Sequence, residues 1–293
     1  MKKLLTLFLV AVMSVVACFG FAGCSEETPE SYKFGKELLR YDSQLQTLKG
    51  LKDDEIDVSI IDSVMAGYYS TTGDYKDDIA IIDDLILAQE KYGIAGRKND
   101  KEFISKINEA LIALSQTDYQ TVGEEYGLTS SLCVDQNTVN PLANEDDNSW
   151  EEILSSNKIV IGYTIFAPIC YEIVDEVPTK GFDIDLAKAV VSYLNDTYNV
   201  SLSIEFVKIE WDEKEADLAN GTIDLIWNGM TITDERANAM CISVPYLNNN
   251  QVAVVLKSNL SKYDTRAELL VNMNKAVIGV EDGSAGESVV LAK

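Results

Sequence analysis

The chain contains no histidine in its 293 residues. That excludes Ser-His-Asp triads and His-ligated metal centres, and it leaves carboxylates as the main general bases on offer. Positive charge is scarce as well. Lys and Arg total 24 against 48 Asp and Glu, a formal net charge of −24. A surface this acidic repels phosphate backbones and anionic headgroups, so nucleic acid is excluded as a partner. Cysteine is sparse and its spacing unhelpful. Beyond the N-terminal segment only Cys133, Cys170 and Cys241 remain, with no Cys-x-x-Cys pair. An odd number leaves at least one thiol free or intermolecular, and the spacing points to inert thiols rather than a metal or redox motif. No metal or organic cofactor is implied.

What is present suits a globular protein. The apolar fraction is 46%, which excludes global disorder, and the length suggests two domains. The N-terminus reads as a targeting segment. Lys2 and Lys3 precede an apolar run over 4–22, followed by "FAGCSEE". Small residues before a cysteine, with polar residues after it, resemble a bacterial lipoprotein signal. Residues 1–24 are then the signal peptide with Cys24 lipidated, and 25–31 a spacer. Cys18 fits the same pattern less well, since Phe19 and Phe21 would follow the lipid. An uncleaved membrane anchor is the alternative.

Between 32 and 132 the chain reads as globular. "EIDVSIID" is a strand, and "DYKDDIAIIDDLILAQEKY" reads as helical. "GIAGRKND" supplies a strand and a cap. In "DKEFISKINEALIALSQ", Phe103, Ile104, Ile107, Leu111 and Leu114 have helical spacing, with Asp100 placed to cap. Residues 133–149 are polar, rich in Asn and Asp, and read as a linker. From Trp150 strands alternate with helices: "KIVIGY", "GFDIDLAKAVVSYL", "SLSIEFVKI", "DEKEADLANG" with a Gly stop, "IDLIWNG", "QVAVVLK" and "AELLVNMN". This is an α/β pattern, and ligands in such sheets bind at the carboxyl ends of strands. The final "KAVIGVEDGSAGESVVLAK" reads as one more strand, a Gly turn and the first turns of a helix.

The stretch "IDLIWNGMTITDER" carries the most chemistry. A strand runs into Asn228, Gly229, Met230 and Thr231, with Thr233 as a helix N-cap and Arg236 one turn beyond. A glycine loop, a hydroxyl, free N–H groups and a guanidinium together suit a carboxylate, because Arg can take both oxygens at once. The plain alternative is an exposed Arg236 paired with Asp234 or Glu235.

"GMTITDER" resembles the signature of amino-acid-binding extracytoplasmic solute-binding proteins of ABC importers. "IGYTIFAP" and "GFDIDLAKAV" resemble the opening of that family's first lobe. "GSAGES" resembles the turn opening the second lobe, "EIDVSIIDS" its amine-binding strand, and "YGIAGRKNDKEFISKINEALIAL" the return strand and C-terminal helix. The resemblance implies a two-lobe periplasmic-binding-protein type II fold with two hinge strands and a ligand in the interlobe cleft. It implies that Arg236 clamps an α-carboxylate, aided by Thr231, Gly229 and Asn228. Asp62 would hold the α-ammonium, Phe166 and Trp211 would flank the ligand side chain, and Ser284 and Ala285 would offer backbone N–H groups. Each has a structural alternative: Phe166 and Trp211 as core, Asp62 as an N-cap. Members selective for basic side chains tend to carry an acid where this chain has Tyr163 or Thr164, so a polar or neutral amino acid is expected.

The order of these segments departs from the family. The expected arrangement is a circular permutant, with second-lobe pieces at 32–92 and 257–293, first-lobe pieces at 93–132 and 150–256, and 133–149 joining the ancestral ends. A broken fusion of two partial genes is the competing reading. The expected function is a monomeric, lipid-anchored receptor on the extracytoplasmic face that delivers its amino acid to an ABC permease, and not an enzyme. Two alternatives use the same fold: a dehydratase-like enzyme, for which Asp183, Asp185 and Glu210 lie near candidate loops, and a sensor for a signalling partner.

Overall fold

The computed structural model describes residues 35–292. The expected signal segment, lipidation at Cys24, the spacer and Lys293 lie outside the described residues. In chain order the elements are β1 (Glu37–Tyr41), α1 (Gln44–Lys52), β2 (Val58–Asp62), α2 (Ser63–Thr71), β3 (Ile79–Tyr92), β4 (Ala95–Gly96), α3 (Lys101–Leu114) and α4 (Asp118–Glu125). Then come α5 (Ser149–Ser156), β5 (Lys158–Tyr163), β6 (Tyr171–Val174), β7 (Val177–Lys180), α6 (Phe182–Tyr198), β8 (Ser203–Lys208), α7 (Lys214–Asn220) and β9 (Leu225–Ile226). The last are α8 (Asp234–Ala239), β10 (Cys241–Ile242), β11 (Leu247–Leu256), α9 (Arg266–Met273), β12 (Val277–Glu281) and α10 (Ala285–Leu291).

Two mixed five-stranded sheets result. One has the order β1-β12-β2-β11-β3 and draws on both ends of the described chain. Glu37 pairs with Val277 and Tyr41 with Glu281 in parallel, and β12 runs parallel to β2. The other has the order β10-β4-β9-β5-β8. Strands β5, β8 and β9 are parallel, which needs helical crossovers, and α6 and α7 supply them. Helix α6 buries Phe182, Leu186, Val190 and Leu194 at the expected helical spacing, each worth about 1.5–3 kcal/mol of transfer free energy. We call the β1-containing half the second lobe and the β5-containing half the first.

The chain crosses between lobes twice, side by side. β3 leads into β4, and β10 leads into β11. Across this neck Tyr246 N–H donates to Tyr92 O at 2.9 Å and Ser243 N–H to Ile94 O at 2.8 Å. Above it, β11 and β3 form a long antiparallel ladder, from Leu247 opposite Tyr92 to Leu256 opposite Ile79.

Three expectations need correction. Of the stretch read as helical over 74–92, residues 79–92 form the strand β3. Its ladder with β11 has register shifts: Val252 faces Ile86 while Val254 faces Ile81. The extra residues on the β3 side break its period-two alternation, so its apolar positions mimic a helical spacing. Second, Leu247–Leu256 pairs in the second-lobe sheet, with Gln251 opposite Asp62, so the first-lobe piece does not extend to 256. An apolar run such as "QVAVVL" carries no mark of which sheet it joins. Third, Asp100 stands at the N-cap of α3, but its side chain accepts from Arg97 N–H at 3.1 Å instead of capping.

The α3 N-terminus is capped from the segment read as a linker. Asp147 accepts from the N–H groups of Lys101 and Glu102, both at 3.1 Å, and Ser149 Oγ accepts from Phe103 N–H at 3.0 Å. Asn140 adds a bond to Ser105 O at 3.0 Å. Residues 133–149 are thus docked along α3, satisfying donors that a helix start always leaves open.

Replacing Asp147 by Ala should cost about 1 kcal/mol, measured as a lower urea midpoint with unchanged slope. Partial burial pushes the Asp147 carboxyl up, but hydrogen bonds from Ser149, Glu102 and Lys101 outweigh it and hold it below the ordinary value. The difference between variant and parent is therefore full above the ordinary carboxylate range and vanishes as pH falls through the folded value.

Candidate functional site

The first-lobe wall of the cleft is built on the turn after β9. Gly229 has φ of 63°, and a Cβ there would lie 2.7 Å from Phe166 Cε1, so the turn needs glycine. Asp183 of α6 fixes this turn, accepting from Gly229 N–H and Tyr246 O–H, both at 2.8 Å. Thr233 caps α8 by accepting from Arg236 N–H at 3.1 Å, which sets Arg236 facing the other lobe. The guanidinium is buried. Nη1 donates to Thr231 O at 2.8 Å, and Nη2 crosses to Gly283 O of the second lobe at 3.1 Å. Beside it Lys214, only 2% exposed, donates to Trp211 O at 2.9 Å and to Gly283 O at 3.4 Å. The lobes therefore touch through the turn after β12.

The second-lobe wall is made by strand ends. All five residues of β2 are buried, and its last, Asp62, is 4% exposed. Asp62 occupies the N-cap position of α2 but makes no capping bond. Its carboxylate instead accepts from Gln44, Asn249 and Gln251 amides, the last at 2.9 Å. Glu90 of β3 joins the same network, accepting from Gln251 at 3.0 Å and from the Thr231 hydroxyl at 2.9 Å. Glu281 closes β12 and is 6% exposed. Burial first, then the charge of Glu90, pushes Asp62 up to about 7. Burial, then Asp62, pushes Glu281 up to about 8.

One cavity between these walls is lined by Arg236, Asp62, Thr231, Gly229, Asn228, Phe166, Trp211, Ser284 and Ala285. All nine candidate residues meet there, although they span most of the chain. Several are partly engaged. The Thr231 hydroxyl is turned to Glu90. Ser284 spends its hydroxyl on Glu287 N–H of α10 and its own N–H on Glu281 O. Asn228 donates to Thr164 Oγ1 at 2.7 Å, while its buried Oδ1 has no partner. Sequence reasoning missed Gln44, Met65, Ile165 and Glu281, which line the same cavity. For Glu281 the available signal was an acid closing a buried apolar strand beside the candidate turn.

The carboxylates weighed for catalysis do not meet here as free bases. Asp183 is held by Gly229 and Tyr246, Asp185 accepts from Tyr126 O–H at 2.5 Å, and Glu210 is exposed. Among the described residues no group of three or more His, Cys, Asp and Glu is arranged to hold a metal, and no helix is long and apolar enough to cross a membrane.

Residues 159–283 match the model of the bacterial extracellular solute-binding proteins, family 3. Over that stretch the chain is similar to this family. A probable histidine-binding protein of Neisseria gonorrhoeae is 36% identical over 108 residues, 37% of this chain and 36% of that protein. The probable ABC transporter extracellular-binding protein YckB of Bacillus subtilis is 25% identical over 130 residues, 43% of each. The chain thus spans less than half the length of the curated relatives it matches. Among solved structures, an ABC uptake transporter substrate-binding protein of Streptococcus pneumoniae with bound histidine is 41% identical over 32% of this chain and 35% of that one, at a TM-score of 0.27. These relatives are solute-binding proteins rather than enzymes.

The buried acids make a pH prediction. Asp62 and Asp183 are raised to about 7 and Glu281 to about 8, burial being the leading cause for each. The folded state therefore keeps protons that the unfolded chain releases near its ordinary carboxylate values. Their effect on stability is nil in acid and turns increasingly unfavourable as pH rises from about 4 to about 8. The melting temperature of the ligand-free protein should fall between about pH 5 and pH 8. Asp183→Asn should flatten part of that fall. A melting temperature that rises over the range in both proteins would contradict the assignment.

Proposed function

We propose that this protein captures a free amino acid in the interlobe cleft and delivers it to an ABC permease. One observation carries the reading: Arg236 of the first lobe and Asp62 of the second line a single cavity from opposite walls. A zwitterion offers the complementary pair of charges at the spacing of one carbon. Arg236 takes the α-carboxylate with Gly229 and Asn228 beside it, and Thr231 contributes its hydroxyl on release from Glu90. Asp62 takes the α-ammonium, which lowers its raised pKa. Orphaned acceptors in the same region, Asn228 Oδ1 and Gln251 Oε1, favour a ligand rich in donors. Contacts made to both walls at once favour the closed arrangement, so closure is a population shift and no bond is made or broken. The protein is a monomer held to the extracytoplasmic face through a lipid on Cys24. Its ligand is a polar amino acid, and no acid at Tyr163 or Thr164 addresses the ligand side chain.

Calorimetry against the twenty amino acids tests the reading. At least one should bind, and Arg236→Ala should weaken that binding by about a hundredfold or more, the range for breaking a buried charge pair. Undiminished binding by the variant would remove Arg236 from the site.

We further read the chain as a circular permutant of the family. The segment order supports this, as does the sharing of one sheet by β1, β2, β3, β11 and β12. The docking of 133–149 along α3 supports a joint that has settled onto an intact lobe. Limited proteolysis within 137–148 should leave one compact particle that still binds its amino acid. Separation into two non-binding fragments would favour the fusion reading.

A further inference from the structure

Carboxylates outnumber cations around the cavity. Asp62 and Glu281 line it, and Glu90 adjoins through Gln251 and Thr231. Opposite them stand Arg236 and, beside it, Lys214. Neither cation neutralises the second-lobe acids directly. Among the described residues no Lys or Arg nitrogen lies within 4.0 Å of a carboxylate oxygen of Asp62 or Glu281, and the acid nearest Arg236 is Glu215 at 3.8 Å. Arg236 and Lys214 instead spend donors on the carbonyls of Thr231, Trp211 and Gly283.

Asp62 and Glu281 end neighbouring parallel strands, since Gly279 of β12 pairs with Ser59 of β2. Their side chains enter the cavity from the same strand-end edge, and each is more than nine-tenths buried. A zwitterion occupies Arg236 with its carboxylate and Asp62 with its ammonium. It leaves Glu281 buried without a directly paired cation: burial and the charge of Asp62 outweigh the hydrogen bonds from Gln44 and the charge of Lys214, and the acid keeps its proton. A second positive charge on the ligand draws Glu281 into its ionised form and pairs with it, which a neutral side chain cannot do.

We propose that Glu281 is a specificity-determining residue, and that the cleft selects an amino acid whose side chain ends in a guanidinium or ammonium group. The inference rests on the amino-acid reading of the cleft and deepens it. It also explains how a basic ligand can be held without an acid at Tyr163 or Thr164: the counter-charge comes from the opposite lobe, at the end of β12. Phe166 and Trp211, which line the same cavity, flank the side chain between the two charged ends.

The test compares arginine with citrulline, which has the same shape and a neutral ureido group, by calorimetry on the whole protein at neutral pH. The parent protein should bind arginine about tenfold tighter than citrulline, or more, as expected for a charged group given a buried partner. Glu281→Gln preserves the side-chain shape and removes the charge. It should bring the two ligands to within about threefold of each other, chiefly by weakening arginine. Equal affinities in the parent protein, or an undiminished preference for arginine in Glu281→Gln, overturns the assignment of Glu281 and leaves the amino-acid reading standing. Failure of the parent protein to bind any of the twenty amino acids overturns both. The parent ratio does not depend on how the variant folds.

Discussion

The ladder between β3 and β11 runs the length of the second lobe and ends where both strands cross into the first. Everything at the cleft is referred to it. Asp62 sits opposite Gln251 of β11, Glu90 projects from β3, and Asn249 and Gln251 tie the two acids together. Below the ladder, Tyr92 and Tyr246 mark the two crossings, and the Tyr246 hydroxyl reaches Asp183, which in turn holds the Gly229 turn. A change of register in this ladder would turn Glu90 and Gln251 to the other face and dismantle the acid network.

That network sets the electrostatic character of the cleft. Amide donors surround Asp62, yet amides only partly replace water around a charge, so burial still raises its pKa. The first lobe brings two buried cations, and the closed contact at Gly283 is made by their hydrogen bonds rather than by ion pairs. Both walls thus hold charge that is incompletely compensated by protein. Under the proposed function, a ligand with charges of both signs would complete both walls and so couple binding to lobe contact without any chemistry.

Local motifs were legible in the sequence because their causes are local. Thr233 caps α8 where a Thr precedes "DER", Gly221 ends α7 with φ of 82°, and Gly229 makes its turn because nothing larger fits. The nine candidate residues were found through such motifs, and the cavity that unites them also holds Gln44, Met65 and Ile165, which belong to no motif. The strand β3 was misread because a bulge, set by its partner β11, shifts its alternation. Residues 133–149 read as a linker because Asn and Asp suit loops. Those same side chains are also what a helix N-terminus needs, and only proximity to α3 put Asp147 to that use.

By itself the sequence determined the α/β class, the strand and helix identity of most segments from 150 onward, and the residue types able to grip a zwitterion. Periodicity, caps and turn glycines act over a few residues, so they are written in order along the chain. The tertiary structure alone decided which strands share a sheet, that β11 belongs with β2 and β3, and that Glu281 stands buried beside Asp62. Those outcomes depend on pairings between residues up to two hundred and more positions apart, as between Glu37 and Val277. The charge state of a carboxylate depends on what surrounds it in space, and no stretch of sequence around Glu281 records that its nearest neighbours come from the other end of the chain.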